Sequence, residues 1–321
     1  MSELLLDITL ATLLLSMAWG ALHAPVISTG IGLFVAFGMV VALTWARLGV
    51  PDLALAEAAI GAGLTGVLLL HAARAIPLQT RTTALRPMQM IPSVFLILLV
   101  LALLTFISTS GPASVFQQLP PLPLLVEERL PDSGVEHPVT AVLLNFRAWD
   151  TLLELFVLLL ALFGVKQLFP GQRELSGTGS QLISADKPIK IKPWPTLIAW
   201  TGVLAPLLVL TGGYLLWSGS SSPGGAFQAG AILAAAAAVL HLTQHLPALR
   251  WSLWPVRALI CSGALLFLAI AISTAWLGDG WLHYPQPVNK LLIVFIELFA
   301  TLSIAVTLAL LVAGDSDDFT R

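Results

Sequence analysis

The sequence contains one cysteine, Cys261, among 321 residues, and this scarcity excludes several kinds of site. A single thiol cannot form an internal disulfide, a CxxC redox motif or a cysteine-ligated iron–sulfur cluster within the chain. Charged residues are also scarce, at 10%, whereas soluble domains contain about 25%. The net charge of −2 offers no basic surface to nucleic acid. We therefore expect neither a cofactor held by this chain nor a nucleic-acid partner.

Hydrophobic residues make up 57% of the chain, and the mean hydropathy is +0.92. They fall in blocks that match the ~20 helical residues needed to cross a hydrocarbon core of ~30 Å. The first block, MSELLLDITL, has no basic stretch before it, so we interpret it as a retained span and not as a signal peptide. These features predict an all-α, multi-pass integral membrane protein that lies in the lipid bilayer.

Nine apolar blocks are long enough to be transmembrane helices, and prolines punctuate the joins between them. The predicted spans are 3–22, 26–46, 52–73, 90–109, 139–165, 195–217, 225–246, 254–276 and 289–313. With nine spans, eleven lysines and arginines fall on one side of the membrane, three on the other, and Arg147 within it. The more positive side of a membrane protein faces the cytoplasm. The N-terminus is therefore predicted to face outward and the C-terminus to face the cytoplasm.

The fifth span contains charges where a lipid-facing helix would be apolar. Arg147, Asp150 and Glu154 fall within eight residues, and a charge at the bilayer centre costs about 2.5–3.5 kcal/mol. At about 100° per residue they share with Thr151 a sector about 100° wide. Arg147 can neutralise Asp150, which leaves Glu154 to change protonation state. We interpret the group as an ion or proton path; an ion pair that only locks this helix to a neighbour is the alternative.

Three further acidic residues lie in or beside apolar spans. Asp52 is at the predicted outer interface, where it either caps the third span or belongs to an ion path. Glu57 is five residues deeper, about 7–8 Å at 1.5 Å per residue, which an interfacial cap reaches poorly. Glu297, about two turns below Lys290 in the ninth span, needs a partner helix or a wet cavity. We include Asp52, Glu57 and Glu297 in the predicted ion path.

Three histidines lie near predicted cytoplasmic ends of spans. His241 and His245, in HLTQH, are spaced by one helical turn like zinc-binding histidines, but no third ligand is nearby. We interpret them as an interfacial pair and a candidate proton relay. His71 is either a further relay member or an anchor. We predict no fixed metal site.

Two glycine-containing stretches resemble ligand sites but favour packing. GAGLTG (61–66) matches the GxGxxG pattern of dinucleotide sites, yet it lies in an apolar span and not after a strand. It therefore indicates close helix packing or a local kink. SSSPGG (220–225) precedes a helix with five consecutive alanines. That helix N-terminus suits an anion, but close packing against other helices is the commoner reason for such a sequence.

Two long connections divide the chain into units. Residues 110–138 are a proline-rich, acidic outer loop, and residues 166–194 form a Gly/Ser/Lys-rich segment that predicts a flexible cytoplasmic linker. The predicted units are 1–88, with three spans, 89–165, with two, and 195–321, with four.

The three units resemble subunits of Mrp-type cation/proton antiporters. PDLALAEAAIGAGL (51–64) is similar to the MbhD-like domain near the C-terminus of the A subunit, which the resemblance assigns to residues 1–88. HPVTAVLLNFRAWDTLLELFVLLLALFGV (137–165) resembles the adjoining MbhE-like domain, with its R-x-x-DT-x-x-E core, assigned to 89–165. SSSPGGAFQAGAILAAAAAVL (220–240) and the acidic last span resemble the MnhB-type B subunit, assigned to 195–321. The B-type pattern GHxxPGGGFQGG is altered in this chain, because a serine replaces its histidine and Ala226 replaces its third glycine. Outside this pattern, His137 stands where Asn is more usual.

The resemblance implies a non-catalytic membrane subunit of a multi-subunit Na⁺/H⁺ antiporter in the inner membrane of a bacterium or archaeon, assembled with other antiporter-type subunits. In this interpretation Glu154 and Glu57 bind H⁺ or, transiently, Na⁺, and Asp150 and Arg147 set their charge balance. One alternative is the ion-translocating arm of a redox-driven complex, such as a membrane-bound hydrogenase or a complex I-like dehydrogenase. Another is an adaptor that conducts nothing.

Overall fold

The computed structural model describes residues 2–74, 121–168, 195–247, 249–277 and 280–313, with the isolated positions 99, 101, 102 and 105. Within these residues every regular element is a helix. The α-helices are α1 (Ser2–His23), α2 (Ile27–Arg47), α3 (Pro51–Ala56), α4 (Thr65–Arg74), α5 (Leu122–Ser133), α6 (Pro138–Ala141), α7 (Ala148–Leu168), α8 (Pro195–Ser218), α9 (Ala226–Leu242), α10 (Trp254–Leu277) and α11 (Asn289–Ala313). Two π-helical segments are π1 (Glu57–Leu64), between α3 and α4, and π2 (Val142–Phe146), after α6.

The described helices agree with eight of the nine predicted spans. Among the described residues, seven helical stretches are long and apolar enough to cross a membrane, and α9 is a shorter apolar helix. The third of the seven is the continuous rod α3–π1–α4. The remaining predicted span, 90–109, lies outside the described residues apart from four isolated positions. The prediction of an all-helical, multi-pass membrane protein is confirmed, while the number of nine spans and the orientation stay predictions.

The predicted span 225–246 is too long at its C-terminal end. α9 ends at Leu242, because the amides of His245 and Leu246 both donate to the carbonyl of Leu240, at 2.9 and 3.1 Å. Gln244 adopts a left-handed φ of 61° in this turn. The 17 residues of α9 extend about 26 Å at 1.5 Å per residue, slightly less than the ~30 Å of a hydrocarbon core.

The two predicted connections are only partly described. The outer loop 110–138 contains the helix α5, so its second half is not irregular. The predicted linker 166–194 begins with the last turn of α7, which continues to Leu168, and the rest of it lies outside the described residues.

α11 lies at the centre of the described bundle. It packs along α9 and α10, and also contacts α7. Its residues Ile293, Ile296 and Ile304 are fully buried, as are Ile260 and Phe267 of α10. α8 and α11 both pack against α9, and the packing buries small residues of α9. These are Ala229, Gly230, Ala231, Ala234 and Ala236. The expectation that α9 packs against helices and not against lipid is confirmed.

α1 lies at the edge of the bundle, packed against α2. Arg47, at the end of α2, places its Nε 3.2 Å from Asp7 and its Nη2 3.6 Å from Glu3. This end of α2 also leads into α3. The α8–α9 loop and the segment before α6 reach the same end, because both contact each other and α3. We call it the predicted outer end, since the lysine and arginine bias assigns it to the outside.

Candidate functional site

The loop between α8 and α9, residues 219–225, is folded tightly at the predicted outer end. The Gly225 amide donates to the carbonyl of Leu215 at 3.0 Å, which turns the loop back onto α8. Gly225 has a φ of 111°, and a Cβ on Gly219 would lie 2.7 Å from the Cα of Gly225. Only glycine at these two positions therefore allows the 219–225 loop to close without strain.

Asp52, in the first turn of α3, contacts this loop across 172 residues of sequence. Its Oδ1 accepts the Gly224 amide at 3.2 Å, and its backbone carbonyl accepts a hydrogen bond from Gln228 Nε2 at 3.4 Å. Asp52 is buried, with 8% of its surface exposed. The N-cap of α3 is Val50, with no side-chain capping bond, so capping does not explain Asp52. Its carboxylate joins α3 to the 219–225 loop.

His137 adds a third part of the chain to this contact. Its Nε2 lies 3.5 Å from Asp52 Oδ2, and both side chains are 11% exposed. The backbone amides of Glu136 and His137 donate to the Ser220 carbonyl, at 2.9 and 3.1 Å. Sequence reasoning did not select His137 as a site residue. The signal that pointed to it was its departure from the Asn that is more usual at this position.

Glu57 begins π1, a form of helix that is rare and frequent at functional sites. The residue is half-buried, and its carboxylate lies over Gly61, where a Cβ would come 2.2 Å from Glu57 Oε1. On another face of π1, a Cβ on Gly38 of α2 would lie 3.0 Å from the Cβ of Ala62. The GAGLTG stretch therefore packs closely and distorts its helix locally, as predicted.

Arg147 interrupts the predicted fifth span. Its φ of −127° and ψ of 36° separate π2 from α7. Arg147 Nη2 lies 2.6 Å from Asp150 Oδ2, so the predicted ion pair forms, but these side chains are 69% and 45% exposed. Glu154 is exposed too, whereas Thr151 is buried and donates to the Leu143 carbonyl at 2.7 Å. Within the described part of the chain the charged face of α7 points outward, so this chain alone does not provide the internal position that we expected.

Glu297 is placed differently, because only 3% of its surface is exposed. Its Oε1 lies 3.1 Å from the position that a Cβ on Gly219 would take, so its carboxylate lies against the 219–225 loop. It also lines a cavity of about 640 Å³. Glu297 therefore meets the 219–225 loop and a cavity, while its place in an ion path stays a prediction.

The helical spacing predicted for His241 and His245 is not present, while their roles in a proton relay stay predictions. His241 is in the last turn of α9, but His245 lies beyond the end of that helix, where its Nδ1 is 3.1 Å from Thr243 Oγ1. The one-turn helical spacing on which the His241–His245 pair was based is therefore wrong, because the chain leaves the helix at Thr243. His71 lies on α4, and its side chain is outside the described part of the structure.

The described residues contain no group of three or more His, Cys, Asp or Glu side chains placed to hold a metal ion. They do bring the side chains of Asp52, His137 and Glu297 to the 219–225 loop. Asp52 and His137 meet at Gly224 and Ser220, and Glu297 lies beside Gly219. Glu57 continues the same rod as Asp52, whereas the charged face of α7 is a separate surface.

Two family models match parts of the chain. Residues 196–315 match the domain related to the MnhB subunit of Na⁺/H⁺ antiporters. Residues 12–78 match the MbhD family, which is named for a subunit of MBH. No curated protein matches this sequence significantly.

Two solved structures have a similar fold. The chain is similar to a chain of the Mrp complex from Dietzia sp. DQ12-45-1b, with a TM-score of 0.68 and 22% identity, over 96% of this chain and 35% of that one. It thus spans about a third of the length of that relative. It is also similar to a chain of the membrane-bound sulfane sulfur reductase (MBS), an archaeal respiratory membrane complex, with a TM-score of 0.49 and 19% identity, over 68% of this chain and 96% of that one.

Proposed function

We propose that this chain, whose residues 12–78 match an MbhD family model and whose residues 196–315 match an MnhB-related model, is a membrane subunit of a multi-subunit cation/proton antiporter of the Mrp type. It resides in the inner membrane of a bacterium or archaeon and assembles with other antiporter-type membrane subunits. Its buried and half-buried carboxylates form part of a path for protons or Na⁺.

The observation that carries this proposal is the meeting of two acidic residues at one loop. Asp52 comes from the MbhD-type domain and Glu297 from the MnhB-type domain, and both lie against the 219–225 loop. Burying a carboxylate costs free energy unless it is paired or can take up a proton. Two such groups on adjoining elements favour proton or cation transfer over a role in packing alone, because ionisable residues inside membranes are most often functional.

The charged face of α7 supports assembly with partner subunits. Arg147, just before α7, and Glu154 on α7 are exposed, and Asp150 on α7 is partly exposed, while α7 is apolar enough to span a membrane. Each charge that faced lipid at the bilayer centre would cost about 2.5–3.5 kcal/mol. A partner subunit that covers this face removes that cost and places Glu154 inside the complex. In this arrangement Glu154 and Glu57 bind H⁺ or Na⁺, and the Arg147–Asp150 pair sets the local charge balance.

The direct test is ion exchange by the assembled complex. The chain is expressed with its partner subunits in bacteria that lack their own Na⁺/H⁺ antiporters, and Na⁺-induced proton movement is followed with a pH-sensitive dye in everted vesicles. Glu154→Gln should abolish exchange while the complex still assembles. Glu128→Gln is the matched control, because Glu128 lies on α5, outside the predicted spans, and is exposed. Full exchange by Glu154→Gln would remove Glu154 from the path.

Assembly itself is tested by purification in mild detergent, with mass spectrometry of the proteins that accompany the chain. Membrane subunits of the antiporter type are the expected partners. Cysteine-rich or metal-bearing soluble subunits would replace the secondary antiporter with a redox-driven pump, and the absence of partners would contradict the assembly.

A further inference from the structure

The carboxylate of Glu297 has no partner in the described ranges of the chain. Its surface is 97% buried, as 3% exposure implies. Among the described residues, the one hydrogen bond at Glu297 that involves a side chain is donated by Thr301 Oγ1 to the backbone carbonyl of Glu297, at 2.7 Å. A buried carboxylate without a hydrogen bond or ion pair is costly when it is ionised, so it either binds a proton or has access to water.

The cavity beside Glu297 supplies that access. Its volume of about 640 Å³ holds on the order of twenty waters at about 30 Å³ each. Polar side chains of Glu136, Ser220, Ser221 and Lys290 line it together with Glu297 and the apolar Leu216, Trp217, Val294 and Leu298, and the polar groups provide hydrogen-bond partners for water. Glu136 and Lys290 are themselves exposed. The cavity therefore opens at the predicted outer end and reaches Glu297, which is about 10 Å below Lys290 along α11.

The charges around this cavity favour a proton over a metal cation. Na⁺ and other hard cations need several oxygen ligands, and Glu297 supplies the one buried carboxylate of the cavity lining. The ammonium of Lys290 lines the same space and repels a cation that approaches Glu297. Glu136 is the other titratable group in the lining, and its opposite charge offsets that of Lys290. A proton needs only water and one carboxylate.

We propose that Glu297 exchanges protons with the outer aqueous phase through the cavity between α8 and α11. The proposal rests on the proposed function and deepens it, since it names the ion and the side of entry at this carboxylate. The backbone of the 219–225 loop lies between this entry and Asp52, because Gly219 lies beside Glu297 and Gly224 donates to Asp52.

The first experiment uses the native residue in the assembled complex. N,N′-dicyclohexylcarbodiimide modifies protonated carboxyl groups in apolar surroundings, and mass spectrometry measures the modified fraction of the peptide that contains Glu297. In sealed right-side-out vesicles with the internal pH held constant, raising the external pH from about 5 to about 9 should lower this fraction by at least about tenfold. Changing the internal pH at constant external pH should leave it unchanged. Modification that follows the internal pH, or neither pH, would overturn the proposal.

A second experiment measures access by water-borne reagents. In a Cys261→Ala background, Glu297→Cys should react with an impermeant anionic thiosulfonate added outside at least about tenfold faster than Ile296→Cys. Ile296 is the matched control, because it is the preceding residue of α11 and is fully buried without lining the cavity. Equal rates, or reaction only from the cytoplasmic side, would contradict outer access.

Protection by Na⁺ and ion exchange by the complex are two further measurements that distinguish the remaining outcomes. If Na⁺ at constant pH protects Glu297 from the carbodiimide, the site binds Na⁺ and the assignment to protons is wrong. If the complex exchanges Na⁺ for H⁺ but the modified fraction of Glu297 does not change with the external pH, this proposal is overturned and the proposed function stands. A complex that exchanges nothing while Glu297 follows the external pH supports this proposal and contradicts the proposed function.

Discussion

The imidazole Nε2 of His137 lies 3.5 Å from Asp52 Oδ2, and this contact joins the MbhD-type domain to the segment that precedes α6. The other carboxylate oxygen of Asp52 accepts the amide of Gly224 in the MnhB-type domain. One buried carboxylate thus holds together three parts of the chain that are distant in sequence. Its loss should weaken their association as well as any role in ion transfer.

Asp52→Ala should destabilise the purified complex more than Asp52→Asn. The alanine leaves the partly buried Gly224 amide without an acceptor, which costs about 1–3 kcal/mol, and it removes the carboxylate that lies 3.5 Å from His137 Nε2. Asparagine keeps an oxygen that can accept the Gly224 amide and loses only the charge. The midpoint of thermal unfolding is measured by size-exclusion chromatography of samples heated to increasing temperatures. Equal midpoints for the two variants would show that the hydrogen bond to Gly224 contributes nothing.

Gly61→Ala should displace the carboxylate of Glu57 and lower ion exchange with little loss of stability. The new Cβ would lie 2.2 Å from Glu57 Oε1, and the end of a flexible side chain moves away at little cost. Gly32→Ala on α2 is the matched control, because its Cβ would meet nothing within 4 Å. Dye-based exchange assays and thermal unfolding of both variants test this. An unchanged rate for Gly61→Ala would mean that the position of Glu57 over Gly61 has no part in transport.

The helices could be predicted because their signal is local. Twenty apolar residues between prolines are enough to identify a span, and the described helices begin and end within a few residues of the predictions. The end of α9 was missed because the sequence HLTQH stays compatible with helix. The chain leaves it through the left-handed Gln244, a conformation that this residue type rarely adopts.

The site was harder to predict because its contacts are distant in sequence. Acidic residues in apolar spans could be recognised because a charge in the bilayer costs free energy, and Asp52, Glu57 and Glu297 were selected on that basis. The contacts of Asp52 with His137 and Gly224 depend on the packing of three spans. The hydrophobic periodicity of the sequence carries no information about that packing. The opposite holds for the charged face of α7. Its ion pair could be predicted from the i, i+3 spacing, but the surface that covers this face depends on other chains.

Arg147→Gln should lower ion exchange by about tenfold or more, which corresponds to at least about 1.4 kcal/mol. It removes the cation that pairs with Asp150 at 2.6 Å and leaves Asp150 and Glu154 as adjacent acids. The double variant Arg147→Gln/Asp150→Asn restores the charge balance and should recover part of the activity. Arg129→Gln is the control, because Arg129 and Asp132 form an i, i+3 pair on α5 that is exposed and 3.9 Å apart. A double variant as inactive as the single one would contradict a charge-balancing role.

Tyr284→Phe should stabilise the chain. Tyr284 lies between α10 and α11 and is 5% exposed, and its hydroxyl has no hydrogen-bond partner among the described residues. A buried polar group without a partner costs about 1–3 kcal/mol, and phenylalanine removes it while keeping the ring. Tyr214→Phe on α8 is the control, because Tyr214 is 60% exposed and its hydroxyl is not confined. A loss of stability in Tyr284→Phe would show that the hydroxyl donates to a group outside the described residues.

The stabilising effect of Tyr284→Phe should grow at alkaline pH. Burial raises the pKa of Tyr284 above its usual value of 10.0, so the folded chain keeps the phenolic proton that the unfolded chain releases. The stability contributed by this group is complete below about pH 10 and falls as the pH rises towards the folded-state pKa, because the unfolded state then binds fewer protons than the native state. Phenylalanine has no such proton, so the gap in unfolding midpoint between variant and parent should widen above about pH 10. A gap that stays constant with pH would mean that the Tyr284 hydroxyl ionises as readily in the folded chain as in the unfolded one.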